Sequence, residues 1–149
     1  VWEILALARE TAGVLRHEYV GTEHILLSII IEGKGVACAI LQNLNVDRYV
    51  FQTKIMDKVT KGHHPVLTGR YLPYTSRAKK VIALALNETR ELEMSYTGSE
   101  HLLLGLLLER QSIAFEVLQS FGLNVEAVRE ELKRLLDPLP MRNVRGVEQ

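Results

Sequence analysis

One cysteine, four prolines and 6% aromatic residues mark this 149-residue chain by what it omits. A lone Cys38 forms no internal disulfide, which fits a reducing compartment. Few aromatics and few turn residues argue against a β-sandwich and for helices. No sign of charge dominates: 18 Lys and Arg balance 18 Asp and Glu. A nucleic-acid binder that lives on phosphate neutralisation is basic, so no nucleic-acid partner is expected. No long apolar run exists either. The longest, Ile25–Ile31, is broken by Ser28. It falls far short of the roughly 18–20 residues that span a bilayer, so no membrane partner is expected. Residues 1–8 are apolar, but no basic segment precedes them and no small-residue cleavage site follows. The chain therefore reads as soluble, cytoplasmic or organellar. What is present is ordinary globular material, 47% hydrophobic and 24% charged. It suffices for one compact domain or two small ones, with no staple needed.

A shift of 77 residues lays the sequence on itself without a gap. YVGTEHILLSIIIE then falls on YTGSEHLLLGLLLE, and Ala6-Leu7-Ala8 on Ala83-Leu84-Ala85. Glu32, Ala37, Leu41 and Gln42 fall on Glu109, Ala114, Leu118 and Gln119. The period exceeds the 20–50 residues of solenoid repeats, so two copies of a small bundle related by a pseudo-twofold are expected. The fold class is all-α, a tandem duplication of a four-helix unit with about eight helices. The expected organisation is a first copy over 1–59, a connector over 60–74, a second copy over 75–137 and a linker or tail over 138–149. Residue 75 maps ahead of residue 1, so the first copy is expected to lack the start of its first helix. The connector TKGHHPVLTGRYLPY carries two glycines and two prolines and is expected to be mobile.

The second copy shows its helices more clearly. Thr75 is placed to cap a helix to about Met94, with Ala78, Val81, Ile82, Ala85 and Leu86 on its apolar face. Ser99 is placed to cap the next, Glu100 to about Glu109, whose LLLGLLL core reads as a central helix buried on all sides. Ser112 and Asn124 are placed to cap the third and fourth, with Gly122 in the C′ position and Pro138 as the stop. In the first copy Thr22 and Asp47 take the capping roles, a short helix follows Gly35, and Asn45 takes the C′ place.

Enzyme signatures are missing. There is no G-x-S-x-G, H-E-x-x-H, C-x-x-C or P-loop, so the chain reads as non-catalytic, with no cofactor and no metal expected. Cys38 reads as a small core residue and His63-His64 as solvated loop residues. The sharpest feature is Gly-Thr/Ser-Glu-His, present twice. As structure, Thr22 and Ser99 cap, Glu23 and Glu100 favour the positive end of the helix dipole, and His24 and His101 bond a neighbouring copy or helix. As function, the two carboxylates are free to bind, because a cap needs only the hydroxyl.

The paired GTEHILL and GSEHLLL motifs and the segment YTSRAKKVIALAL resemble the N-terminal repeat domain of Clp AAA+ unfoldases, nearest the ClpC type. The resemblance covers residues 1 to about 137. It implies a non-catalytic module above an ATPase ring that recruits adaptor and substrate proteins for the Clp protease, in a bacterial cytoplasm or plastid stroma. The alternative it leaves open is a stand-alone regulator or assembly factor of a Clp complex. A P-loop downstream of Gln149 distinguishes the first from the second. ClpC-type members bind phosphoarginine, and the resemblance places such a site at Thr75, Arg77, Ala78 and Glu100. There the start of the Thr75 helix suits the phosphate and Glu100 the guanidinium. Glu23 matches in the first copy, with its phosphate partners ahead of residue 1. Ser76 stands where the family usually has proline, and Glu109-Arg110-Gln111-Ser112 replaces its glycine-rich turn.

Overall fold

The computed structural model describes residues 1–59 and 72–136. Among the described residues eight helices follow one another. They are α1 (Trp2–Val14), α2 (Thr22–Glu32), α3 (Val36–Asn43), α4 (Arg48–Lys58), α5 (Ser76–Glu91), α6 (Ser99–Leu108), α7 (Ile113–Ser120) and α8 (Val125–Leu136). The starts of α2, α3 and α4 recur 77 residues later as those of α6, α7 and α8. The connector's histidines and the residues after Leu136 lie outside the described residues.

The two apolar helices take the centre. From Ser99 to Leu107 every residue of α6 is buried, and from Thr22 to Ile30 every residue of α2. Neither has a polar face to turn outward, so their neighbours must surround them. α6 packs chiefly on α5 and α2 chiefly on α1, with α3, α7 and α8 also against α6. No single helix among the described residues is long and apolar enough to cross a membrane.

Most helix ends follow the expected chemistry. Thr75, Asp47, Ser112 and Asn124 accept hydrogen bonds from the amides of Ala78, Val50, Phe115 and Ala127. Asn45 and Gly122 adopt the left-handed conformation that ends a helix. α5 stops at Glu91, short of Met94. Glu93 turns left-handed there, and the Met94 amide bonds back to the Thr89 carbonyl. On α5 Leu86 stays 42% exposed, outside the buried face made by Ala78, Val81 and Ala85. Cys38 is half-buried rather than fully interior. Its thiol donates to the Ile29 carbonyl at 3.3 Å, and burial raises its pKa.

Thr22 and Ser99 do not cap their own helices. The caps of α2 and α6 are Gly21 and Gly98, whose amides donate to Nδ1 of His24 (2.8 Å) and His101 (2.9 Å). The hydroxyls instead cross between the sequence copies. Ser99 accepts from the Ala37 amide at 3.0 Å, in the first turn of α3, and Thr22 from the Ala114 amide at 3.4 Å, in the first turn of α7. Gly35 is what admits Ser99, since a Cβ there would lie 2.3 Å from the serine Oγ. Each copy thus satisfies an orphan amide of the other. Ser99→Ala is expected to lower stability by about 1 kcal/mol, read as a shift in urea midpoint. An unchanged midpoint would show that the crossing bond carries nothing.

Candidate functional site

The end of the connector is pinned, not loose. Leu72 is buried, and Val20 and Tyr74 form a parallel bridge. The Val20 amide donates to the Pro73 carbonyl at 2.8 Å and the Thr75 amide to the Val20 carbonyl at 2.9 Å. The Arg9 guanidinium of α1 stacks over the Tyr74 ring at 4.5 Å, which adds a cation–π contact. Because Val20 directly precedes the cap of α2, this bridge sets the start of α5 beside the start of α2.

A concavity of about 370 Å³ opens at that junction, lined by Tyr19, Glu23, Thr75, Arg77, Gln111 and Ile113 among others. Two helix starts therefore meet around one hollow. Thr75 Oγ1 accepts the Ala78 amide at 3.1 Å, so its own hydroxyl hydrogen stays available to donate. The first-turn amides of Ser76 and Arg77 have no intrahelical acceptor. Arg77 Nη1 donates to Gln111 Oε1 at 3.1 Å and lies 3.6 Å from Glu109 Oε1. Glu23 is only 8% exposed and makes no hydrogen bond or ion pair among the described residues. Its carboxylate folds back over Gly21, where an added Cβ would lie 2.4 Å from Oε1. The residue lines the hollow, where an entering donor or cation can pair with its carboxylate.

The structure thus gathers Thr75 and Arg77 with Glu23, while Ala78 is fully buried beneath them. Glu100 does not line this hollow. It sits at the start of α6, 1% exposed, with Oε2 unpartnered and 3.9 Å from His101 Nδ1. The distribution follows from the Val20–Tyr74 bridge, which brings α5 to the neighbouring copy's motif. Gln111 and Tyr19 were not among the expected site residues. The one signal for Gln111 was its place in the segment that replaces a glycine-rich turn.

Behind the site lies a histidine pair. His17 Nδ1 and His24 Nε2 are 2.7 Å apart, and His17 stacks on Tyr19. His24 Nδ1 already accepts the Gly21 amide, so His24 carries its proton on Nε2 and donates it to His17. Burial, helped by His17, lowers the His24 pKa to about 4. In the second copy Met94 takes the place of His17, and His101 Nε2 is buried without a hydrogen-bond partner. Burial likewise holds His101 below its usual range, against the opposing pull of Glu100 and Glu88.

Comparison with known proteins agrees with this architecture. The family model of the Clp repeat (R) N-terminal domain matches residues 1–109 and 73–148. The chain is 40% identical over 134 residues to the negative regulator of genetic competence ClpC/MecB of Bacillus subtilis (strain 168), covering 90% of this chain and 16% of that one. It is 38% identical over 134 residues to the chloroplastic chaperone protein ClpC2 of Oryza sativa subsp. japonica, covering 90% of this chain and 14% of that one. It therefore spans about a sixth or less of the length of these relatives. In fold it is similar to the Hsp104 N-terminal domain from Candida albicans, with a TM-score of 0.73, 16% identity and coverage of 90% and 87% of the two chains. The chain belongs to the Clp repeat N-terminal domain family.

Proposed function

We propose that this chain is a non-catalytic recognition module of a Clp-type unfoldase system, and that its Glu23 hollow reads phosphorylated arginine on adaptor or substrate proteins. The partners in this account are those proteins and the Clp ATPase ring or protease they are handed to. The relatives' bacterial and chloroplastic sources favour a cytoplasmic or plastid setting. One observation carries the reading: the carboxylate of Glu23, which has no ion pair among the described residues, lines the same hollow as a helix start and an arginine. Phosphoarginine is the dipolar ligand that such a pair of poles fits. Its phosphate suits the Ser76 and Arg77 amides, the Thr75 hydroxyl and the Arg77 side chain. Its guanidinium suits Glu23 through a charge-assisted bond. On this geometry Glu23, rather than Glu100, is the carboxylate that works with Thr75.

Calorimetry with an arginine-phosphorylated peptide and its unmodified twin tests this. The phosphorylated peptide alone is expected to bind. Glu23→Gln should weaken it about tenfold or more, the value of a bond to a charged group, with the melting temperature nearly unchanged. Equal binding of the two peptides would sink the tag-reading function.

A further inference from the structure

A second hollow adjoins the first. It measures about 540 Å³ and is lined by Arg77, Lys80, Leu108, Glu109, Arg110 and Gln111. Ser76, Arg77 and Gln111 line both hollows, so the Arg77–Gln111 hydrogen bond forms a ridge between them. The charge on the far side is unbalanced. Three cations, Arg77, Lys80 and Arg110, face one carboxylate. Glu109 is that carboxylate, and its side chain is only 6% exposed. It lies 3.6 Å from Arg77 and 3.5 Å from Lys80, and it also accepts the Gln111 amide at 3.2 Å. Its acceptors are thus spent within the fold. Arg110 is exposed and makes no ion pair among the described residues. Lys80 keeps 65% of its side chain in solvent, so its ammonium has donors to spare. Leu108 supplies an apolar wall for the methylenes of a side chain.

We propose that this basic hollow is a second subsite that takes an acidic side chain, so that preferred ligands carry Asp or Glu within one or two residues of the group held at Glu23. Consecutive residues of an extended peptide are about 3.3–3.6 Å apart, short enough to step over a single-side-chain ridge. Gln111, neutral and bonded to Arg77, keeps the ridge from repelling an acidic ligand on either side. Where the tagged residue sits rests on the function proposed above. The acidic preference does not, because Lys80 and Arg110 would attract a carboxylate with or without a tag.

Three peptides of one length separate the two ideas: phosphoarginine flanked by Asp, phosphoarginine flanked by Ala, and unmodified arginine flanked by Asp. Titrated calorimetrically into the protein at low salt, the first should bind about fivefold tighter than the second, the scale of a solvent-exposed charge contact. The gain should shrink at about 1 M salt, where the screening length is about 3 Å. Arg110→Glu should abolish the gain and leave the Ala-flanked peptide's affinity unchanged. Equal binding of Asp- and Ala-flanked peptides would overturn the acidic subsite and leave the tag site standing. Binding of the unmodified Asp peptide that is lost in Arg110→Glu, without any preference for phosphoarginine, would support the subsite and overturn the tag. No binding by any of the three would overturn both.

Discussion

Leu103→Ala is expected to lower the unfolding free energy by about 2–5 kcal/mol, a fall of about 5–15 °C in melting temperature for a chain of this size. Leu103 is fully buried at the middle of α6, with buried leucines on both sides in sequence. A helix enclosed on every face has little room to collapse around a missing isobutyl group, so the cavity persists. Gly105→Ala on the same helix tests the packing from the opposite direction. A Cβ at Gly105 would meet the Val81 carbonyl oxygen of α5 at 2.6 Å. That atom belongs to a helix backbone and cannot swing aside, so α5 and α6 must separate. The substitution gains about 1 kcal/mol of helix propensity and still should destabilise by about 1–3 kcal/mol. If both variants melted with the wild type, α6 would not be the centre of the fold.

Acidification is expected to remove about 3 kcal/mol of stability between pH 6.5 and 4. An unfolded histidine takes its proton near pH 6.5, whereas His24 is held at about 4 in the fold. Above pH 6.5 both states are neutral and stability is complete. As the pH falls through this window the unfolded chain binds a proton that folded His24 refuses, and the native state loses ground. A proton reaching His24 Nδ1 would also displace the Gly21 amide, and with it the cap that positions Glu23. Urea midpoints at pH 7 and pH 4.5 measure the slope. His24→Gln should flatten it, since a glutamine at that helix position can still accept the cap amide. Met94→His should install in the second copy the partner that His101 Nε2 lacks, adding about 1 kcal/mol at pH 7. A pH-independent midpoint in the wild type would contradict the assigned tautomers.

The architecture was legible because local signals repeat. The 77-residue shift, the caps at Asp47, Thr75, Ser112 and Asn124, and the all-apolar α2 and α6 each depend on neighbours in sequence. The crossing hydroxyls of Thr22 and Ser99 were not legible. A threonine or serine after glycine and before glutamate looks like a helix cap, and only the position of the other copy shows whose amide it serves. His24 and His101 both cap their own helices through Nδ1, and only His24 also reaches a neighbouring segment, at His17. At the site, the family resemblance marked Glu23, Glu100, Thr75, Arg77 and Ala78, but the placing of Thr75 at the same hollow as Glu23 arises from the Val20–Tyr74 bridge. That pairing spans more than 50 residues, and no local pattern announces it. The half-buried ion pair of Glu88 with Arg129, between α5 and α8, was equally hidden, because each looks like a surface charge when read alone.

Amide chemical shifts report whether the proposed recognition takes place where α2 and α5 begin. Titration of the isotopically labelled protein with an arginine-phosphorylated peptide should move the amides of Gly21, Glu23, Ser76, Arg77 and Gln111 first and furthest. Shifts centred instead on Gly98 and Glu100, or no shifts at saturating peptide, would contradict the account.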